Sequence, residues 1–117
     1  MVIWQGDVFW IDLPEPGHSE PGYRRPGIVV QNDVYNRSGI NTAIVVLLTS
    51  NLARAHSPGN VLLRKGEANL PRPSVANVTQ VITVDKADLG GHIGRLSADR
   101  VEQILAGLRM VTEPRRL

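Results

Sequence analysis

Thr42-Ala43-Ile44-Val45-Val46-Leu47-Leu48 is the most apolar run of the chain. It is too short for a self-sufficient helix and rich in β-branched residues, so it reads as a strand buried on both faces. Upstream, Pro26 opens Gly27-Ile28-Val29-Val30-Gln31, a second strand, at the one position where a missing N–H costs no ladder bond. Before that, Asp7-Val8-Phe9-Trp10-Ile11-Asp12 forms a short β-rich run closed by Leu13-Pro14. Residues 14–23, PEPGHSEPGY, hold three Pro and two Gly, a loop longer than a hairpin needs and therefore a candidate functional loop. Downstream, weaker strands are expected at 60–64, 74–78 and 80–85, with a short one around Ile93.

The C-terminal segment changes period. Ser97 is a good N-cap, Asp99 sets negative charge in the first turn, and Arg109 suits the last. Val101, Ile104, Leu105, Leu108 and Val111 make one apolar stripe at helical spacing. Gly107 inside that helix costs about 1 kcal/mol relative to Ala, so tertiary packing must hold the element. Short strands and one packed helix predict a mainly β, α+β fold: a small barrel of curved antiparallel strands with a C-terminal helix.

The 117 residues fit a single domain spanning 1–117. No run of 18 uncharged apolar residues occurs, and the first 13 residues lack the basic start of a secretory signal, so a cytoplasmic chain with no membrane segment is expected. With no Cys there is neither a disulfide framework nor a thiolate zinc site. The three His residues are scattered without metal-ligand spacing, and no phosphate-binding glycine motif or nucleophile elbow is present. No cofactor and no metal are expected. The net charge of +2 is uneven: residues 1–21 carry −4, residues 22–72 carry +5 and residues 73–117 carry +1. The +5 stretch fits a phosphate-facing surface or an ordinary solvated face.

Two features carry candidate chemistry. Arg24-Arg25-Pro26 stands at the mouth of a strand after the long loop, and Thr49-Ser50-Asn51 follows the most buried strand. Guanidinium offers a fixed-charge fork of donors to phosphate, and hydroxyls add short donors, so the two together can stabilise extra charge on a phosphodiester. Gln31 and Asn32 have amides that can read splayed bases or cap a strand end. Tyr23 can stack a base or anchor packing. His18 is a titratable group in the loop, and Trp4, Phe9 and Trp10 are assigned to core or dimer contacts.

The order of QGDVFWIDL at 5–13, RRPGIVVQND at 24–33, TAIVV at 42–46, LTSN at 48–51, PGNV at 58–61 and SVANVTQV at 74–81 resembles the MazF/PemK (Kid) family of toxin endoribonucleases, over about residues 3–111. The resemblance implies an SH3-like barrel, a homodimer, and metal-independent cleavage of single-stranded RNA to a 2′,3′-cyclic phosphate and a 5′-hydroxyl. It makes Arg25 and Thr49 the catalytic pair, with Arg24, Tyr23, His18, Gln31, Asn32, Ser50, Asn51 and Gln80 as candidate RNA-binding residues. It also implies a cognate antitoxin whose disordered acidic segment covers the RNA site. Guanidinium titrates above about 12, so Arg25 suits a phosphate clamp better than a general acid. Two departures stand out: Gly27 replaces a larger apolar residue, and the basic segment 51–74 is a place where RNA choice can be set. A barrel toxin of the CcdB type that poisons gyrase, and a non-catalytic SH3-like binding module, are the alternatives.

Overall fold

The computed structural model describes residues 1–14 and 23–117. Six strands form one antiparallel sheet: β1 Asp7–Leu13, β2 Tyr23–Val29, β3 Thr42–Thr49, β4 Val61–Leu63, β5 Ser74–Asp85 and β6 Leu89–Arg95. Their spatial order is β4-β5-β3-β2-β1-β6. The sheet curls into a half-barrel, and a short helix α1 Asp33–Arg37 and the C-terminal helix α2 Ala98–Thr112 complete a mainly β fold.

β3 is central, and its side chains feed both cores. Val46 and Leu48 join Val8, Ile28, Leu63, Ala76 and Ile104 on one face, while Val45 and Leu47 join Phe9, Ile11, Val29 and Leu89 on the other. The period-2 alternation of strand side chains makes that division. From Val45 to Leu48 the strand is buried throughout, as its composition predicts, but Ile44 is exposed. The two weak strands expected at 74–78 and 80–85 are one strand, β5, with a register shift: Val46 faces Val81, yet Leu48 faces Ala76. Extra β5 residues opposite Leu47 bulge, and Asn77 Oδ1 closes the bulge by accepting from the Thr79 N–H at 3.3 Å and hydroxyl at 2.9 Å.

α2 follows its sequence signals. Ser97 Oγ accepts from the Arg100 N–H at 3.3 Å, and Ile104 is fully buried with Val101, Leu105 and Leu108 beside it. Val111 lies off that stripe and is exposed. Gly107 is where the helix touches the loop before β4: a Cβ there would run into the Gly59 carbonyl oxygen. Close approach therefore offsets the helix cost of glycine. α1 was not legible as a helix because five residues are too few to show a period.

Candidate functional site

Pro26 shapes the site. The β2–β3 ladder runs Val29↔Val45, Ile28↔Val46, Gly27↔Leu47 and ends there, directly after a residue with no N–H to donate. Beyond that point β2 remains paired with β1, through Pro26↔Trp10, Ile11↔Arg25 and Asp12↔Arg24, while Thr49 on β3 remains paired with Val75 of β5. Continuing the β2–β3 register by two residues sets Arg25 opposite Thr49 across the open end of the ladder. Each is held from its outer side by a ladder, and the space between them opens to solvent.

A cavity of about 320 Å³ lies at this opening. β1 contributes Trp10, β2 contributes Tyr23 to Pro26, β3 contributes Leu48 and Thr49 with Ser50 beyond it, and the turn into β5 contributes Pro71, Arg72 and Ser74. Thr49 Oγ1 accepts from the Asn51 N–H at 3.2 Å, which leaves the hydroxyl proton free to donate outward. The Arg24 guanidinium lies over the Trp10 ring, 4.7 Å from its centroid, and approaches Asp12 at 3.9 Å in an exposed pair. Among the described residues, no carboxylate pairs with Arg25 or Arg72. Three arginines and four hydroxyl-bearing residues (Tyr23, Thr49, Ser50 and Ser74) around one cavity are suited to an anion with several oxygens. Tyr23, at the cavity edge, has φ +61°, a left-handed conformation rare for an aromatic residue, and such strain tends to gather at functional sites.

Gly27 also finds its reason here. A Cβ on it would lie 2.5 Å from Val45 Cγ1 and 2.9 Å from Ile11 Cγ1, so those two side chains already fill the space behind Arg25.

Not every candidate residue reaches the cavity. Arg24, Arg25, Tyr23, Thr49 and Ser50 line it. Gln31 and Asn32 stand beyond the opposite end of β2 and take the strand-end role rather than a place in the cavity. Gln31 is buried, donating to Asn36 Oδ1 at 2.9 Å and to the Thr42 carbonyl at 3.0 Å, and Asn32 caps α1 by accepting from the Tyr35 N–H at 3.1 Å. Asn51 likewise caps a turn, accepting from the Ala53 N–H at 3.2 Å. Gln80 belongs to the β5 bulge region and does not line the cavity; its Oε1 is buried with no hydrogen-bond partner among the described residues. His18 and most of the loop 14–23 lie outside the described residues.

Sequence reasoning missed Trp10 as a cavity residue and assigned it to core or dimer contacts. Its neighbours Phe9 and Ile11 are core residues, at 4% and 1% exposure, but strand alternation turns Trp10 the other way. That alternation was the available signal. Arg72, Pro71 and Ser74 had none beyond the basic character of their segment, because a loop joins them to the site.

The other prominent charges are committed to the fold. Asp7, 2% exposed, accepts from Arg95 Nε at 2.8 Å, the Trp4 N–H at 2.8 Å and His92 Nε2 at 3.1 Å. Burial alone pushes this carboxyl up, but the bonds from Arg95, Trp4 and His92 outweigh it and hold the pKa below the ordinary aspartate value. Glu67 takes two bonds from Arg100, at 2.8 and 3.1 Å, which lower its pKa against an opposing effect of burial and raise that of Arg100. Among the described residues, no three His, Asp or Glu side chains gather as metal ligands would, and no helix is long and apolar enough to cross a membrane.

Comparison with known proteins gives the chain its family and relatives. Residues 4–112 match the family of PemK-like, MazF-like toxins of type II toxin–antitoxin systems, so the chain belongs to that toxin family. Among its relatives is Endoribonuclease MazF6 of Mycobacterium tuberculosis, 42% identical over 97% of this chain and 99% of that protein. Endoribonuclease EndoA of Bacillus subtilis is 33% identical over 94% of each. Among solved structures, a mycobacterial endoribonuclease in complex with its cognate antitoxin superimposes with a TM-score of 0.76 at 22% identity, covering 97% of this chain and 99% of that one. MazF from Deinococcus radiodurans gives a TM-score of 0.74 at 23% identity over 95% and 96%. These two show the shared fold.

Proposed function

We propose that this toxin is a sequence-specific endoribonuclease that cleaves single-stranded RNA, chiefly messenger RNA, without a metal, and so stops translation and growth. The observation that carries the reading is the placement of Arg25 opposite Thr49 at the open end of the β2–β3 ladder, within a cavity rich in donors. Relatives sharing a third or more of the sequence are endoribonucleases by name, which supports the same reading.

In the reaction, the RNA 2′-oxygen attacks the adjacent phosphorus and the bond to the 5′-oxygen breaks. The products are a 2′,3′-cyclic phosphate and a 5′-hydroxyl, the 2′ proton being lost and a proton gained at the leaving oxygen. Negative charge grows on the phosphoryl oxygens as the attack proceeds. Arg25 clamps those oxygens with two N–H donors, and the Thr49 hydroxyl adds a short bond whose strength grows with the charge. Both groups are placed by strands rather than by flexible loops, so little reorganisation is needed when charge develops. Arg24 and Arg72 hold flanking phosphates. The working form is a homodimer, and its inhibitor is an antitoxin with an acidic segment that competes for the same arginines.

Purified protein incubated with a long mixed RNA in EDTA is expected to cut at a short recurring sequence, read by mapping the new 5′ ends. Arg25→Ala and Thr49→Ala are expected to slow cutting by about 100-fold or more while leaving the fold intact by circular dichroism. Full activity in both variants overturns the assignment of the pair, and intact RNA with the natural protein overturns the activity itself.

A further inference from the structure

The cavity lining is mixed: Arg25, Thr49 and Arg72 are polar residues suited to phosphate, while Trp10, Pro26, Leu48 and Pro71 are apolar. A phosphate has no use for the apolar residues. A flat, apolar group attached to that phosphate does, and in RNA that group is the base.

Trp10 is built to receive one. It sits where β1 changes register against β6, between Phe9↔His92 and Ile11↔Leu89, the kind of irregularity that re-aims a side chain. Gly90 and Gly91 back it: a Cβ at Gly90 would lie 2.6 Å from the Trp10 carbonyl oxygen, and one at Gly91 would lie 3.8 Å from the indole Cδ1. Gly90 thus allows β6 to pass close behind the tryptophan, whereas a Cβ at Gly91 would make only ordinary contact with the indole. The indole face carries the Arg24 guanidinium at 4.7 Å, too near for a base to enter between them. Arg24 is otherwise held by a 3.9 Å approach to Asp12, both side chains being largely exposed. The Arg24 guanidinium over the half-buried ring is itself largely solvated, which makes it a weaker partner than a stacked base and easily released.

Resting on the endoribonuclease reading above, we propose that Trp10 is a specificity-determining residue that stacks the nucleobase adjoining the scissile phosphate. The base takes the place of the Arg24 guanidinium on the indole, and Arg24 turns to a phosphate of the same strand. The cavity thereby couples recognition to chemistry: a base on Trp10 sets its phosphate at Arg25 and Thr49.

Trp4 and Trp10 are the chain's two tryptophans, so Trp4→Phe isolates the Trp10 emission. The probe is an all-deoxy oligonucleotide of the mapped cleavage sequence, which lacks the attacking hydroxyl, with binding followed independently by the anisotropy of a terminal dye. Saturating oligonucleotide should quench Trp10, and an abasic site next to the cleavage position should abolish the quench. With matching RNA, Trp10→Leu should lose about 10- to 100-fold in kcat/KM and spread its cuts over more sequences, while Trp10→Phe recovers most of the loss. Unchanged Trp10 emission at full anisotropy change overturns the proposal. So does Trp10→Leu that cuts the same sites at the natural rate. Failure of the natural protein to cut any RNA is a separate result, seen without any variant, and removes the proposal together with the activity it rests on.

Discussion

Five arginines of this protein fall into two regions with opposite circumstances. At the β1–β6 edge and under α2, Arg95 and Arg100 each end on a carboxylate at 2.8 Å, and the carboxylates themselves take further bonds. At the open end of β2 and β3, Arg25 and Arg72 have no such partner among the described residues, and Arg24 has a long, exposed one. The residue type is the same, but the first group is tied into the fold by carboxylates and the second, among the described residues, is not. Local charge content does not distinguish them; partner geometry does.

Breaking the open set should affect chemistry far more than stability. Arg25→Ala is expected to slow single-turnover RNA cleavage by about 100- to 1000-fold, with Tm nearly unchanged, since a donor to the transition state is lost but no native ion pair. Thr49→Val, which keeps the shape and removes the hydroxyl, should approach the lower end of that range.

Breaking the committed set should do the reverse. Asp7→Asn leaves a buried site that cannot satisfy three donors and should cost about 2 kcal/mol, a fall in Tm of roughly 6–12 °C, with the cleavage rate per folded molecule retained. Because the folded-state pKa of Asp7 is depressed, its contribution is fully present above the unfolded value of about 4 and is lost as pH falls through the folded one. Thermal unfolding across pH 6 to 2 should therefore show the gap between natural and Asp7→Asn proteins closing in acid. Glu67→Gln tests the pair whose carboxylate is the more exposed and should cost only about 0.5–1 kcal/mol by urea unfolding. The smallest effect is expected of Arg72→Ala. RNA affinity should weaken modestly, and the slope of log K against log salt should fall by about 0.7, one phosphate contact on a single strand.

How far the primary structure could be read follows the same division. The strand at 42–48 and the helix after Ser97 were legible, because each depends on local period or capping; Arg25 and Thr49 were named from their order along the chain, and the fold brings both to one cavity. The join of two expected strands into β5 was not, since its bulge is set by pairing with β3 and closed by Asn77. Gln31 and Asn32 illustrate an ambiguity in residue type: an amide that can read a base can equally tie down a helix, and only the neighbours decide. Trp10 was misassigned because its run is apolar on both faces, and what lies across each face is a tertiary matter.

By itself, then, the sequence determined roughly where most strands lie and where the last helix begins; it set Pro26 at the start of a strand 27–31, whereas β2 runs from Tyr23 to Val29 with Pro26 inside it, paired with Trp10 on one side and ending the ladder to β3 on the other. Backbone sterics, side-chain period and a missing N–H act within a few residues and need no distant partner. The tertiary structure decided which face of β1 opens on a cavity and that Arg72 crosses to it. It also decided that Gly107 is needed to meet Gly59, and which arginines are already spoken for. Those outcomes depend on surfaces brought together from far along the chain, and whether a guanidinium serves the fold or a ligand is settled only when its nearest carboxylate has been placed.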